Sequence, residues 1–419
     1  MYLSHTRAAD RHAGGAGSER KLSGRAVSAV PPTVLALGTV SLVTDLSSEM
    51  VTAILPMYLM YGLGISFLQL GALDGLYTGA TALFRLGGGL VADRLRRPKA
   101  VATAGYALSA LTRLGLPAAG TSVAGLSLMV AADRTGKGIR TAPRDALITA
   151  AVSEKDLGTA FGVHRAMDSC GALLGPVLAF AVLYAVPGGY DTAFLVSFCL
   201  AVAAVVIMVC FVDGPGITAA GEQLRSVRGG VSSLLVPEVR RCILTTALLG
   251  VFTVGDMSLF VGIQQRLDAP VQALVLLPFG TALVFMAAAA PMGRLADRMG
   301  RRRLFIAGHV LPAGAYAFVL AAPFEGWPAL ALVLALHGLF YAMTDGVLMA
   351  YVAPHIPKSS RATGLAAVQT VQALCRAVGA VAFGGLAAWS GLATAFTVFA
   401  IGMAVSVAVV TLCLTRSPR

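Results

Sequence analysis

The sequence predicts an all-α membrane protein in which twelve transmembrane helices form two pseudo-symmetric six-helix bundles. Three observations predict it. The 419 residues are 57% hydrophobic and 12% charged, with a mean hydropathy of +0.79, whereas soluble domains run at about 45–50% apolar and about 25% charged. Long charge-poor stretches recur, each near the ~20 residues a helix needs to cross a bilayer. A polar, glycine-rich stretch then breaks their rhythm halfway along the chain. The short alternating segments of a membrane β-barrel are missing.

Residues 1–32 are polar and basic, with Arg7, Arg11, Arg20, Lys21 and Arg25. They lack an apolar core followed by a small-residue cleavage site, so they read as a disordered cytoplasmic tail. The first bundle covers 33–212, with spans at 33–60, 67–92, 98–117, 122–147, 157–186 and 190–212. Residues 213–237 read as a cytoplasmic linker. The second bundle covers 238–415, with spans at 238–265, 270–294, 302–323, 327–353, 361–388 and 391–415. Residues 416–419 close the chain as a short cytoplasmic tail. The six cysteines form no C-x-x-C pair and lie mostly in apolar runs, so they read as small buried hydrophobes.

Orientation follows from lysine and arginine in the connections. One set holds Arg94, Arg96, Arg97 and Lys99, then Lys155, Arg225 and Arg228, Arg298 to Arg303, and Lys358. The alternate set, "YGLGISF", "LPAAGTS", "VPGGYDT", "PFEGWP" and "WSGL", carries almost none. Both termini are therefore expected in the cytoplasm. The formal net charge of +12 is mostly this topology signal, with some attraction to anionic lipid headgroups, and not a nucleic-acid footprint.

The halves repeat. "GLVADRLRRPK" (89–99) aligns without a gap on "GRLADRMGRRR" (293–303), each after the second span of its half. "TDLS" at Asp45 echoes "GDMS" at Asp256, and "RDALI" at Asp145 echoes "TDGVL" at Asp345. A parallel six-plus-six repeat places a substrate site between two bundles near the midplane.

The duplicated G-x-L-A-D-R-x-G-R-[KR] connection resembles the major facilitator superfamily, over nearly all of residues 33–415. It marks Gly89, Asp93, Arg94, Arg97, Gly293, Asp297, Arg298 and Arg301 as cytoplasmic gating loops. The first copy has Arg96 where glycine is usual. Gly162, Gly171, Gly175 and Pro176 in span five fit G-x8-G-x3-G-P-x2-G, the pattern of the drug– and metabolite–proton antiporters of that superfamily, with Ala179 at its last glycine. "TDLSSEM" and "DRTGKGIRTAPRDALI" resemble a bacterial subgroup that includes magnetosome-associated members. The resemblance implies alternating access, with Asp93 facing the start of span eleven and Asp297 the start of span five.

"DRTGKGIRTAPRD" (133–145) puts six formal charges between apolar runs. It is not a phosphate loop, because Gly138 follows Lys137 and Ala131 stands where the first glycine belongs. Charges inside a bilayer cost roughly 2.5–3.5 kcal/mol each on insertion scales and mark function by default. The candidates for proton coupling and the central cavity are Asp45, Glu49, Asp133, Arg134, Lys137, Arg140, His164, Arg165, Asp168, Asp256, Asp345 and Arg376. Asp168 with Arg165 leads, and Asp45 with Arg134 follows. Asp74 and Arg113 read instead as a structural pair, and Arg85 as snorkelling to the interface.

The expected function is secondary active transport in a bacterial plasma membrane, most simply proton-coupled efflux of a drug or secondary metabolite. The rivals are a narrow transporter of a charged solute, such as a metal chelate or organic anion, and a non-transporting receptor or scaffold on the same fold. No nucleophile with a base, metal-ligand cluster or cofactor loop points to an enzyme. The expected partners are a small-molecule substrate, protons and the lipid bilayer. No cofactor, metal or nucleic acid is expected, and the chain reads as a monomer.

The loop charges give a direct test. Single cysteines placed within residues 10–25 or 218–230 should resist impermeant thiol reagents in intact cells, and labelling of either from outside contradicts the topology.

Overall fold

The computed structural model describes residues 31–95, 97–153, 156–212, 236–267, 271–321, 326–356 and 361–415, with side chains except at 85–95, 361–363 and 413–415. The expected linker up to residue 235, the tail before residue 31 and the tail at 416–419 lie outside these residues. So do the side chains of Arg85, Gly89, Asp93 and Arg94.

The first half runs as α1 (Pro32–Met57), α2 (Phe67–Leu95), α3 (Pro98–Ala118), α4 (Val123–Ala150), α5 (Leu157–Ala185) and α6 (Tyr190–Phe211). The second runs as α7 (Pro237–Val251), α8 (Asp256–Arg266), α9 (Leu277–Met299), α10 (Arg301–Gly308), α11 (Val310–Ala321), α12 (Gly326–Val352), α13 (Arg361–Ser390) and α14 (Leu392–Thr415). Proline opens α1, α3 and α7, where its fixed φ suits the first turn and no N–H is lost.

Two expected spans are interrupted. The seventh breaks over Phe252–Gly255 between α7 and α8, and the ninth breaks at His309 between α10 and α11. Breaks in apolar surroundings free backbone groups that need partners. The Val254 N–H donates to the Tyr316 hydroxyl at 2.9 Å. At the start of α8, the Met257 and Ser258 N–H groups donate to one Asp74 oxygen at 3.1 and 3.4 Å. Asp74 is thus a cap on another helix, and not the partner of Arg113 that the sequence suggested.

Among the described residues, nine helical stretches are long and apolar enough to cross a membrane. The other three expected spans are α2, α3 and α4. They have 29, 21 and 28 residues, enough at ~1.5 Å per residue, but α4 in particular is rich in charge. The packing shields it: α4 lies against α2 and α3, and α3 against α6. Gly105 and Gly136 let α3 and α4 approach until a Cβ on either would press the other backbone, at 2.8 and 2.6 Å.

Helix α1 packs on α5 and α6, α9 on α12, α11 on α14, and α13 on α7 and α14. Between the two halves, α2 lies along α13. The contact is tightest at Gly71, Gly75 and Gly384, where a Cβ would meet backbone of the facing helix. One core joins both halves at this end, including Ile54, Tyr58 and Phe194 with Phe260, Phe383 and Phe396. Tyr61 donates to Gln264 across the same end. At the far end the cores part: Val34, Leu37, Tyr106 and Met208 form one, and Val239, Phe305, Leu348 and Met403 another.

The cysteines differ from expectation. Only Cys242 is buried among the five whose side chains are described; Cys170, Cys199 and Cys210 face outward. Apolar helices in lipid need not bury a thiol.

Two predictions follow from this packing. Asp133 lies between Arg113 and Arg134 in the first half, and its removal leaves buried cations uncompensated. Asp133→Ala should cost about 3–5 kcal/mol in unfolding of the purified protein; a loss below about 1 kcal/mol would contradict the pairing. Asp74→Ala removes a cap worth about 1 kcal/mol. It should slow disulfide cross-linking between Tyr61→Cys and Gln264→Cys by about fivefold, and an unchanged rate means the cap does not hold this end shut.

Candidate functional site

The charged side chains gather along one helix. On α4, Lys137, Arg140 and Arg144 fall at i, i+3 and i+7 and share a face. Opposite them α1 carries Asp45 and Glu49 at i and i+4. Lys137 Nζ stands 3.6 Å from Glu49 Oε1, and Arg140 Nη2 stands 3.7 Å from Asp45 Oδ1. Arg144 Nη1 stands 3.9 Å from Asp168 Oδ1 on α5, and its other side binds Asp145 at 2.9 Å. The carboxyls of Asp45 and Asp168 lie within hydrogen-bond reach of each other.

The spacing of α1 and α5 makes that contact possible. Gly171 lies against the Leu42 carbonyl, and Gly175 against Glu49 and Met50, so tightly that no side chain fits. These two glycines of the span-five pattern are a packing seam with Pro176 beside it. Gly162 faces open space and takes no part. His164 is buried and hydrogen-bonds Ser41 Oγ at 2.8 Å.

The sequence pairings need correction. Arg134 does not reach Asp45. Its Nε donates to Asp133 Oδ2 at 2.9 Å, and its guanidinium lies 3.9 Å from the Tyr77 ring centroid. Asp133 accepts from Arg113 Nη1 at 2.7 Å, and Arg113 Nη2 donates to Ser48 at 3.0 Å. Arg165 does approach Asp168, at 3.4 Å, but its side chain is 77% exposed. Asp168 is thus held from two helices, by Arg144 as well as Arg165.

A cavity of ≈ 490 Å³ lies beyond the α2–α13 seam. From α2 it is lined by Tyr77, Thr78, Thr81 and Ala82; from α13 by Ala366, Gln369, Thr370, Gln372, Ala373 and Arg376. Glu49, Thr52, Arg134, Lys137, Asp256 and Asp345 complete it. Asp256 accepts from Tyr341 at 2.8 Å and lies 3.1 Å from His337 Nε2. Asp345 lies 3.6 Å from Arg376 Nη2. Six of the twelve expected residues therefore meet here: Glu49, Arg134, Lys137, Asp256, Asp345 and Arg376. Arg140, Asp45, Asp168 and His164 form a separate group in the first half.

The sequence reading missed Gln369, Gln372, Tyr77, His337 and Tyr341. The first two had a legible signal, since Gln369, Gln372 and Arg376 recur at helical spacing on one face of an otherwise apolar span. Tyr77 and His337 carried none.

The gating loops are only partly described. Arg97 and Arg298 are exposed, and Gly293 has open space around it. Gly300 adopts φ +97°, a conformation that favours glycine. Asp297 does not face the start of α5 as expected. It binds Arg301 Nη2 at 2.8 Å and is 63% exposed, while Arg301 Nη1 donates to the Ala350 carbonyl at 2.9 Å. The cores of the two halves are separate at this end, and Asp297 finds its partner within its own half.

Known proteins share this architecture. The chain is 28% identical over 348 residues to the uncharacterised MFS-type transporter MJ1317 of Methanocaldococcus jannaschii, covering 81% of this chain and 85% of that one. Its fold matches the crystal structure of the nucleoside transporter NupG with a TM-score of 0.77 at 13% identity, over 92% of this chain and all of that one. It also matches a bacterial homologue of the human lysosomal transporter Spinster, inward-facing and unoccupied, with a TM-score of 0.69 at 15% identity over 91% and 96% of the two chains. Residues 37–290 and 259–419 match the family's own pattern, and with these helices, this cavity and that match the chain belongs to the Major Facilitator Superfamily.

Proposed function

We infer that the protein is a proton-coupled secondary transporter that exports a small solute by alternating access. One observation carries the reading: a charged cavity lies between two groups of helices that share a core at one end and part at the other. Such a site becomes accessible from the second side if the halves rock. In this reading α2, α3 and α4 cross the membrane with the nine apolar stretches, giving twelve spans in two bundles over 33–212 and 238–415. The arginine-rich connections set both termini in the cytoplasm of a bacterial plasma membrane. The sealed end then faces outward, and the cavity opens inward. Export is favoured by the span-five pattern, and the protein acts as a monomer.

The lining bears on the solute. A polyspecific drug site is lined predominantly by hydrophobic and aromatic side chains. This chamber offers alanines, threonines, glutamines and ion pairs, and among the described lining residues its one aromatic ring, Tyr77, is already covered by Arg134. That favours the narrower reading, a charged or strongly polar solute.

Proton coupling is assigned to Asp45 and Asp168. Two neighbouring carboxylates repel each other, and a proton taken up by either relieves that repulsion. Around them stand Lys137, Arg140 and Arg144 on α4, His164 and Arg165 on α5, and the Tyr106 ring on α3, 4.7 Å from the Arg140 guanidinium. Withdrawal of an arginine favours the proton, and its return expels it. Lys137 links this pair to the cavity through Glu49.

The coupling role separates from a structural one in liposomes. Asp168→Asn should still exchange substrate across the membrane but fail to concentrate it under a pH gradient. If the variant accumulates substrate with unaltered pH dependence, the proton site lies elsewhere.

A further inference from the structure

The cavity joins a second, smaller one of ≈ 240 Å³ that has a different chemistry. Met257, Phe260, Pro278 and Phe285 form its apolar wall. Four residues line both spaces: Glu49, Thr52, Asp256 and Asp345. Three carboxylates therefore stand at the boundary between a polar chamber and an apolar annex. They are open to it, for Asp256 and Asp345 have side chains 47% and 46% exposed.

The basic groups are placed differently. Arg134, Lys137 and Arg376 line the polar chamber, with the neutral amide of Gln372 beside them. Gln372 is more than nine-tenths buried, yet its Nε2 has no hydrogen-bond partner among the described residues. Arg376 Nε and Nη2 likewise lack one, since Asp345 is 3.6 Å away. Buried donors left unpaired cost free energy, and an exception of this kind needs an explanation. Both residues line the chamber, and these shielded donors find a partner if an entering acceptor draws the two side chains toward it.

The charge balance limits what that acceptor belongs to. Glu49, Asp256 and Asp345 face Arg134, Lys137 and Arg376. Asp133 cancels only one of Arg113 and Arg134, so the surviving positive charge belongs in the sum. The lining is thus neutral, and a lone anion or lone cation would leave an excess charge at mid-membrane depth. Both cavity ion pairs, Glu49–Lys137 and Asp345–Arg376, are stretched to 3.6 Å. Each can open to admit a ligand group of opposite charge.

The geometry points to a zwitterion with one apolar group as the substrate. Its ammonium sits among Glu49, Asp256 and Asp345, its oxyanion meets Lys137, Gln372 and Arg376, and its apolar group enters the annex beside Phe260 and Phe285. This assignment rests on the transporter reading above for the identity of the site, but not for the binding it forecasts.

Matched probes on one skeleton test it. L-phenylalanine, 2-phenylethylamine and 3-phenylpropionate carry both charges, the cation only and the anion only; L-leucine, isopentylamine and 4-methylpentanoate repeat the set on an aliphatic group. Calorimetric titration of the purified full chain at neutral pH should show at least one zwitterion binding about tenfold tighter than both its single-charge analogues. Lys137→Met should weaken the zwitterion and the anion but not the cation, Asp345→Asn should weaken the zwitterion and the cation but not the anion, and Lys137→Arg should retain binding. Single-charge analogues that bind as well, or no zwitterion binding at millimolar concentration, overturn the inference. Zwitterion binding without counterflow in liposomes would defeat the transport reading and leave this one standing. Counterflow of another solute without zwitterion binding would do the reverse.

Discussion

The structure depends on where buried charge can be neutralised. Helix α4 carries Asp133, Arg134, Lys137, Arg140 and Arg144 through apolar surroundings, and none of these can face lipid at acceptable cost. The fold answers with neighbours that bring the opposite sign. Arg113 of α3 and Arg134 share Asp133, while Asp45 and Glu49 of α1 and Asp168 of α5 meet the α4 cations. Each pairing between two helices fixes a distance between them. The small residues Gly105, Gly136, Gly171 and Gly175 let the backbones come that close. The protein exchanges apolar contact on this face for a set of ion pairs, and the ion pairs dictate the packing.

The α4 face also joins the two chemical regions. Moving along it, Lys137 touches the cavity through Glu49, Arg140 touches Asp45, and Arg144 touches Asp168. A change at the cavity end alters the field at the acid pair without any side chain crossing the interval. The second half supplies the counterpart. Its seventh span is broken, and Asp74 from the first half caps the exposed N-terminus of α8. The same short stretch presents Asp256 to the cavity. A ligand drawn to Asp256 would therefore act on the same helix end that Asp74 caps.

Much of this was legible in the sequence, for identifiable reasons. Composition gave the helices, because insertion in lipid tolerates little else. The duplicated connection and the echo of Asp45 in Asp256 gave the internal repeat. Helical spacing placed Asp45 and Glu49 on one face, and both do turn to the cations of α4. The partners were not legible. Asp133 and Arg134 are adjacent in sequence and were free to pair elsewhere; only the approach of α3 shows Arg113 as the third member. Asp74 resembled another buried acid until the break after Val251 exposed amides for it to cap. Gln372 signals a site only once its unpaired amide is seen beside Arg376.

The central claim is that the seam at one end and the parted cores at the other exchange places. Distances between spin labels measure it directly. One pair would sit at Leu68 and Trp389, near the sealed end, and the other at Ala100 and Arg303, near the parted end; all four side chains are exposed. As pH is stepped in liposomes, the account predicts that a population with the first pair lengthened appears together with one in which the second pair is shortened. Distances that stay fixed, or both lengthen together, would contradict alternating access through this cavity.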